Sequence, residues 1–191
     1  MKLVVGITGA SGSIYGIRMM EVLHNSFSEV ETHLVISKAG LRVMKYETEF
    51  TDKDVSGHAS ITHPDSDIGA VPASGSSGMD AMVIIPCSVK TLGQIASGAG
   101  DNLVCRSADV FLKENKKLIL VVREMPLSAI HLENMLKLSR LGVTIIPASP
   151  GFYHEPKDID DLVNHVVGKA LDSLGLEHDI FKRWTGQKKE K

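Results

Sequence analysis

Leu118–Val122 is an apolar run that stops at two opposite charges, Arg123 and Glu124, followed by Met125 and Pro126. A structural ion pair accounts for such charges at the end of a buried strand. So does a ligand clamp: a guanidinium neutralises a phosphate, and a carboxylate beside it can carry protons. The choice depends on which other polar groups share the same surroundings.

Several other apolar runs also end in polar turns. "GITGASGSIYG" (6–16) is a Gly-rich turn leading into a helix, where backbone N–H groups and the helix dipole suit a phosphate. A tight turn with no ligand is the alternative. The turn lacks the lysine of G-x-x-x-x-G-K-[ST], and Gly9 and Gly12 do not fit G-x-G-x-x-G. "PCSVKTLGQIASG" (86–98) is a second strand-to-helix turn. There Ser88 and Thr91 either hold a phosphate or a ring's polar edge, or Ser88 simply caps the helix. Arg106 and Lys113 lie about two turns apart on one helix. They read by default as surface charges, and as phosphate ligands if the anion-binding turns are near. "TGASG" with Tyr153 and Lys157 imitates a short-chain dehydrogenase, but Pro156 between the pair argues against the continuous helix that chemistry needs. The histidines show no H-E-x-x-H and no Cys/His clustering, so no metal site is expected; His131 reads as a structural partner.

The elements that must hold these groups follow from periodicity. Residues 2–8, 32–37, 81–87, 117–123 and 143–148 read as strands. They are β-branched and nearly uninterrupted, as strands buried on both faces of a parallel sheet are. Helical patterns occupy 14–23, 38–46, 89–97 and 103–114. A further helix is capped by Ser128 and ended by Gly142, and a last one opens with acids near Asp158 and closes at Gly175. This alternation predicts a Rossmann-like three-layer α/β/α sandwich with a mostly parallel central sheet. Ligands of such sheets bind beyond the carboxyl ends of the strands, where the polar turns fall. Residues 51–79 read as an irregular, functional loop. One domain over 1–191 is expected, with a partly flexible tail from about 178.

Composition narrows the class. The chain has 191 residues, 43% hydrophobic and 23% charged, and a net charge of -2. No basic excess points to nucleic acid, and no apolar run approaches the length of a membrane span. Cys87 and Cys105 form neither a C-x-x-C motif nor a disulfide framework, so a reduced, cytoplasmic protein is expected.

Taken in order, "GASGSIYG", "PCSVKTLGQIASGAGDNL", "RSADVFLKE", "REMPLSAIHLENML" and "PASPGFYHEP" closely resemble the flavin prenyltransferases of the UbiX type, over nearly the whole chain to about residue 175. The resemblance implies a flavoprotein fold that binds FMN. It also implies metal-free transfer of a dimethylallyl group from dimethylallyl phosphate to reduced FMN. The product would be prenylated FMN for UbiD-type decarboxylases, and the assembly a homo-dodecamer with sites at subunit contacts. Carried onto this chain, Gly9, Ala10 and Ser11 meet the flavin, with Ser11 also near the substrate phosphate. Ser37, Ser88, Val89, Lys90, Thr91, Arg106 and Arg123 hold FMN. Lys113, Arg123, Glu124, Tyr153 and Lys169 surround the allylic phosphate, and Trp184 joins them from the tail. Met125 stands where the family usually has threonine, and Lys169 where relatives often have arginine, which keeps the charge without the bidentate fork.

The implied chemistry gives the residues roles. Lys113, Arg123 and Lys169 offset phosphate charge, while Glu124 or the released phosphate removes a flavin ring proton. Tyr153 and Trp184 shield an allylic carbocation with their faces. Two other readings share the flavin site. One is an FMN-dependent decarboxylase of the same fold, whose P-x-M-N-x-x-M-W-type motif is not found in this sequence. The other is a non-catalytic flavin-binding protein, which would not need a second phosphate site.

Overall fold

The structure is a computed structural model and describes residues 1–186. Its centre is a six-stranded, all-parallel sheet: β1 (Lys2–Ile7), β2 (Glu31–Ile36), β3 (Ile61–Pro64), β4 (Ala81–Cys87), β5 (Lys117–Val122) and β6 (Thr144–Pro147). The order is β3-β2-β1-β4-β5-β6. The chain builds outward from β1 to β3, then returns to the other side of β1 and builds outward again. The switch point therefore lies between β1 and β4, where loops leave the sheet in opposite directions and open a crevice.

Alternation along each strand explains the unbroken apolar runs. Leu3, Val5 and Ile7 of β1, with Ile119 and Val121 of β5, face one cluster of buried side chains. Val4 of β1, with Leu118, Leu120 and Val122 of β5, faces the other. A strand covered on both faces has no polar face to display. Helices α1 (Ser13–Ser26), α2 (Lys38–Glu47), α3 (Asp52–Ser56) and α7 (Ile159–Leu174) contribute to the first layer, and α4 (Val89–Ser97), α5 (Leu103–Lys113) and α6 (Ala129–Arg140) to the second. Gly16 lets α1 sit close on the sheet, since a Cβ there would lie 2.5 Å from the Ile85 carbonyl oxygen.

The six longer helices and five of the strands occur where periodicity put them. Residues 51–79 differ from the expected loop. Thr51 and Asp54 form a capping box that starts α3, and Ile61–Pro64 pairs with β2 as an edge strand. Both are short, and β3 is largely exposed and ends in proline, so neither leaves a clear periodic trace.

Candidate active site

The turns after β1 and β4 are tied together across the switch point. The Thr8 hydroxyl donates to the Pro86 carbonyl (2.8 Å) and accepts from the Ser88 N–H (2.8 Å). Thr8 is buried, so this double bond fixes the Gly-rich turn against the 86–91 turn. Gly9 presses on α2: a Cβ there would come 2.4 Å from the Cβ of Ala39. Ala10 is buried and Ser11 exposed in this turn. Two serines begin the flanking helices. Ser37 caps α2 by accepting from the Gly40 N–H (3.0 Å). Ser88 caps α4 by accepting from the Thr91 N–H (3.2 Å) and donates to the Thr91 hydroxyl (3.0 Å). Val89 and Lys90 form the first turn of α4. The positive ends of α2 and α4 thus open onto the same rim.

The positive end of α1 is different. No side chain caps it in the usual position. Instead Glu47, the last residue of α2, accepts from the N–H groups of Gly12 (2.8 Å) and Ser13 (3.1 Å). Burial pushes this carboxyl's pKa up, but hydrogen bonds from Ser11, Gly12 and Ser13 outweigh it and hold the group below its ordinary value. The helix terminus where the Gly-rich turn alone suggested a phosphate therefore holds an internal carboxylate. Sequence reasoning missed Glu47, because a contact 35 residues away leaves no local pattern.

Arg123 and Glu124 follow β5 at the same rim. The Arg123 N–H donates to the Cys87 carbonyl (3.2 Å), which locks the strand end beside the 86–91 turn. Arg123 is half-buried and near Tyr15 of α1. Burial raises the Tyr15 pKa, and the Arg123 charge partly opposes that shift. Glu124 is exposed and accepts from the Met125 N–H (2.9 Å). Among the described residues no ion pair joins Arg123 to Glu124. The Glu124 carboxylate accepts from its neighbour's N–H and is not bonded to Arg123, which removes the simple structural-pair explanation.

Tyr153 lies in the loop after β6, and the tail brings Trp184 to it, with ring centroids 5.5 Å apart. The tail returns along α7. His178 lies within 2.9 Å of the Gly168 carbonyl oxygen, Phe181 packs at Gly168, and Arg183 donates two bonds to Asp172 (3.1 and 2.7 Å). Residues 187–191 of the expected flexible end lie outside the described residues.

Two expected site residues, Lys113 and Lys169, are not gathered with these groups in one chain, while Arg106 stands near the start of α5 and pairs with Asp109 (2.9 Å). Lys113 ends α5, just before β5 begins, and so sits toward the amino ends of the strands, whereas Arg123 is at the carboxyl end; it pairs with Glu114 (2.9 Å). Lys169 is about 15 Å along α7 from its first residue and pairs with Asp172 (3.3 Å).

The donors at the switch point fit a flavin mononucleotide. Two serine-capped helix ends suit its phosphate. Among the described residues no three His, Cys, Asp or Glu side chains group as a metal site, and no helix is long and apolar enough to cross a membrane.

Comparison with known proteins bears on the family and the fold. The Flavoprotein family pattern matches residues 1–171. The "Flavin prenyltransferase UbiX" of Saccharolobus solfataricus is 50% identical over 188 residues, which is 97% of this chain and 92% of that protein. Among solved structures, a dodecameric FMN-dependent UbiX-like decarboxylase from Escherichia coli O157:H7 superposes with a TM-score of 0.95 at 50% identity, covering 97% of this chain and 100% of that one. A UbiX protein in complex with FMN and dimethylallyl pyrophosphate superposes with a TM-score of 0.94 at 44% identity, covering 98% of each chain.

Proposed function

This chain belongs to the flavin prenyltransferases of the UbiX type, and from that premise we propose that it joins a dimethylallyl group from dimethylallyl phosphate to reduced FMN. The observation that carries this reading is the crevice at the switch point. It has donors for one phosphate on its β1/β4 side, and Arg123 with an unpaired Glu124 on its β5 side. A protein that only stored flavin would need the first set and not the second.

Reduced FMN, when bound, supplies the nucleophilic ring nitrogen and neighbouring carbon that take the allylic group. The chain's residues do the rest. In this reading Gly9, Ala10, Ser37, Arg106 and the turn from Ser88 to Thr91 hold the flavin. Arg123 neutralises the allylic phosphate as its bond to carbon breaks. Ser11 lies near that phosphate, on the turn that Glu47 holds. Glu124 moves a proton at the reacting ring carbon. Tyr153 and Trp184 turn aromatic faces to the positive charge that develops on the allylic carbon and keep water from it.

Lys113 and Lys169 enter from neighbouring copies. Both stand away from the rim of their own chain, so neither reaches its own Glu124. The surface beside Glu124 supports such an assembly. Met125, Ile130, Leu132, Leu136 and Leu141 are exposed along the rim and α6, an unusual apolar density for a free surface. The dodecamer of the Escherichia coli O157:H7 relative is the arrangement we expect here. We place the enzyme in the cytoplasm, passing its product to a UbiD-type decarboxylase.

The test is anaerobic incubation of the protein with reduced FMN and dimethylallyl phosphate, without added metal, followed by the mass of the extracted flavin. A gain of one prenyl unit is expected. A parallel incubation with the diphosphate identifies the donor. Bound but unchanged flavin with both donors would overturn the reading.

A further inference from the structure

The loop carrying Tyr153 and the tail carrying Trp184 rest on one side chain of α7, His165. Its Nδ1 accepts from the Gly151 N–H (3.1 Å). Its ring stacks on His154, with centroids 5.4 Å apart and planes 12° from parallel. On the tail side it meets the edge of Phe181 at 5.0 Å and 71°. Phe181 fills the notch left by Gly168, where a Cβ would lie 2.3 Å from its ring. Arg183 sits over Phe181 at 5.1 Å, and Trp184 follows it to Tyr153. The Nε2 of His154 is buried without a hydrogen-bond partner, so the stack on His165 is the evident reason that ring stays inside.

We propose that His165 is a positioning residue for prenyl transfer: its neutral imidazole seats the Tyr153 loop and the Trp184 tail together, so that both aromatic walls close as one unit. The inference rests on the reading of Tyr153 and Trp184 as the walls of the allylic site. The tautomer follows from the geometry. Nδ1 accepts, so the ring proton is on Nε2. A second proton would go to Nδ1, directly facing the Gly151 N–H, and that bond would be lost.

The surroundings oppose this second proton. His154 faces the ring from the loop, and Lys169 lies one turn further along α7. His178 and Arg183 flank Phe181 on the tail, and on the α1 side Arg18 holds the neighbouring Asn164 (2.8 Å). Burial first, then the charges of His154 and Lys169, push the His165 pKa below 6.5. A depressed histidine pKa means that the latch is fully present above the ordinary value. It is lost as pH falls through the lower, folded value.

The experiment uses the full-length, FMN-loaded protein. Trp184 is the only tryptophan, so its emission and its quenching by acrylamide report the tail directly. In His165→Ala we expect kcat for prenyl transfer to fall roughly tenfold. FMN affinity should be unchanged, while Trp184 emission shifts to the red and is quenched more readily. His165→Asn supplies an oxygen for the Gly151 N–H and does not titrate. It should keep most of the activity and lose the acid limb of the wild-type pH profile. Unchanged kcat and unchanged Trp184 emission in His165→Ala would overturn the proposal. So would equal losses in both variants with Trp184 unmoved. If the wild-type protein makes no prenylated flavin, the functional reading fails by itself, and the Trp184 response to His165→Ala still decides the coupling.

Discussion

The two sides of the crevice are built differently. On the β1/β4 side, Thr8 is 1% exposed and Thr91 7%, and the turns are tied to each other by hydrogen bonds within one chain. On the β5/β6 side, Met125 and Tyr153 are each 80% exposed and Trp184 64%. Their contacts are aromatic and charged, and two expected cations, Lys113 and Lys169, lie elsewhere. A rigid cradle formed within the chain suits a ligand held throughout the reaction. An open wall made from a loop and a tail suits a small donor that must enter and leave.

The sharpest way to separate the sides is to remove one function and leave the other. Glu124→Gln keeps the shape of the β5 end but cannot take a proton. We expect turnover to fall by about 10²- to 10⁴-fold, the usual range for a general base. FMN affinity, measured by titration of the apo protein, should stay within about twofold, because the phosphate donors are on the other side. Equal loss of both would join the two sides into one.

A backbone lesion on the cradle side should act in the opposite sense. Gly16→Ala would push a methyl group against the Ile85 carbonyl oxygen and the Ile7 side chain, at 2.5 and 2.8 Å. We expect a loss of about 1–3 kcal/mol in stability, the range for overpacking, with FMN binding lost in parallel. Glu47→Gln is milder. It keeps an acceptor for Gly12 and Ser13 but removes the charge. The expected loss is about 1 kcal/mol, reduced by the exposure of the site. Because the folded pKa of Glu47 is depressed, its contribution is present above the ordinary carboxyl value of 4.5 and is lost as pH falls through the lower, folded value. Denaturant midpoints of wild type and Glu47→Gln should therefore converge in acid. A constant gap would show that the charge is not what holds the turn.

The same contrast governs how much could be read from the sequence. The cradle was legible, since buried parallel strands show as continuous β-branched runs and Ser37 and Ser88 stand where helices must start. Glu47 was not, because its partners Gly12 and Ser13 meet it only once α2 has packed beside the Gly-rich turn. The edge pair α3 and β3 was hidden by brevity and exposure. On the open side, Arg123 and Glu124 were conspicuous as charges ending an apolar strand. The path of the tail was not, because its polar end reads as solvated. Its seat depends on Gly168, a helix-interior glycine whose use appears only when Phe181 fills the space.

The smallest effect concerns the clasp of that tail. Asp172 accepts two bonds from Arg183 and one from Lys169, and His178 lies 3.1 Å away. Hydrogen bonds from Arg183, against some burial, hold its carboxyl at about 2. The clasp is at the surface, so Asp172→Asn should weaken tail docking by only about 0.5–1 kcal/mol. That corresponds to a rise of roughly two- to fivefold in KM for the allylic donor. A depressed carboxyl pKa places its pH window low. The contribution is complete above the ordinary 3.8 and fades as pH falls toward about 2. Between about pH 7 and pH 5 Asp172 stays charged, so the ratio of KM in Asp172→Asn to wild type should not change across that range. The His165 pKa, by contrast, is pushed down from the ordinary 6.5 by burial and by the charges of His154 and Lys169. A ratio that grew with acidity would mean that the clasp and the latch titrate as one unit, and the open side would then have a single pH-sensitive hinge.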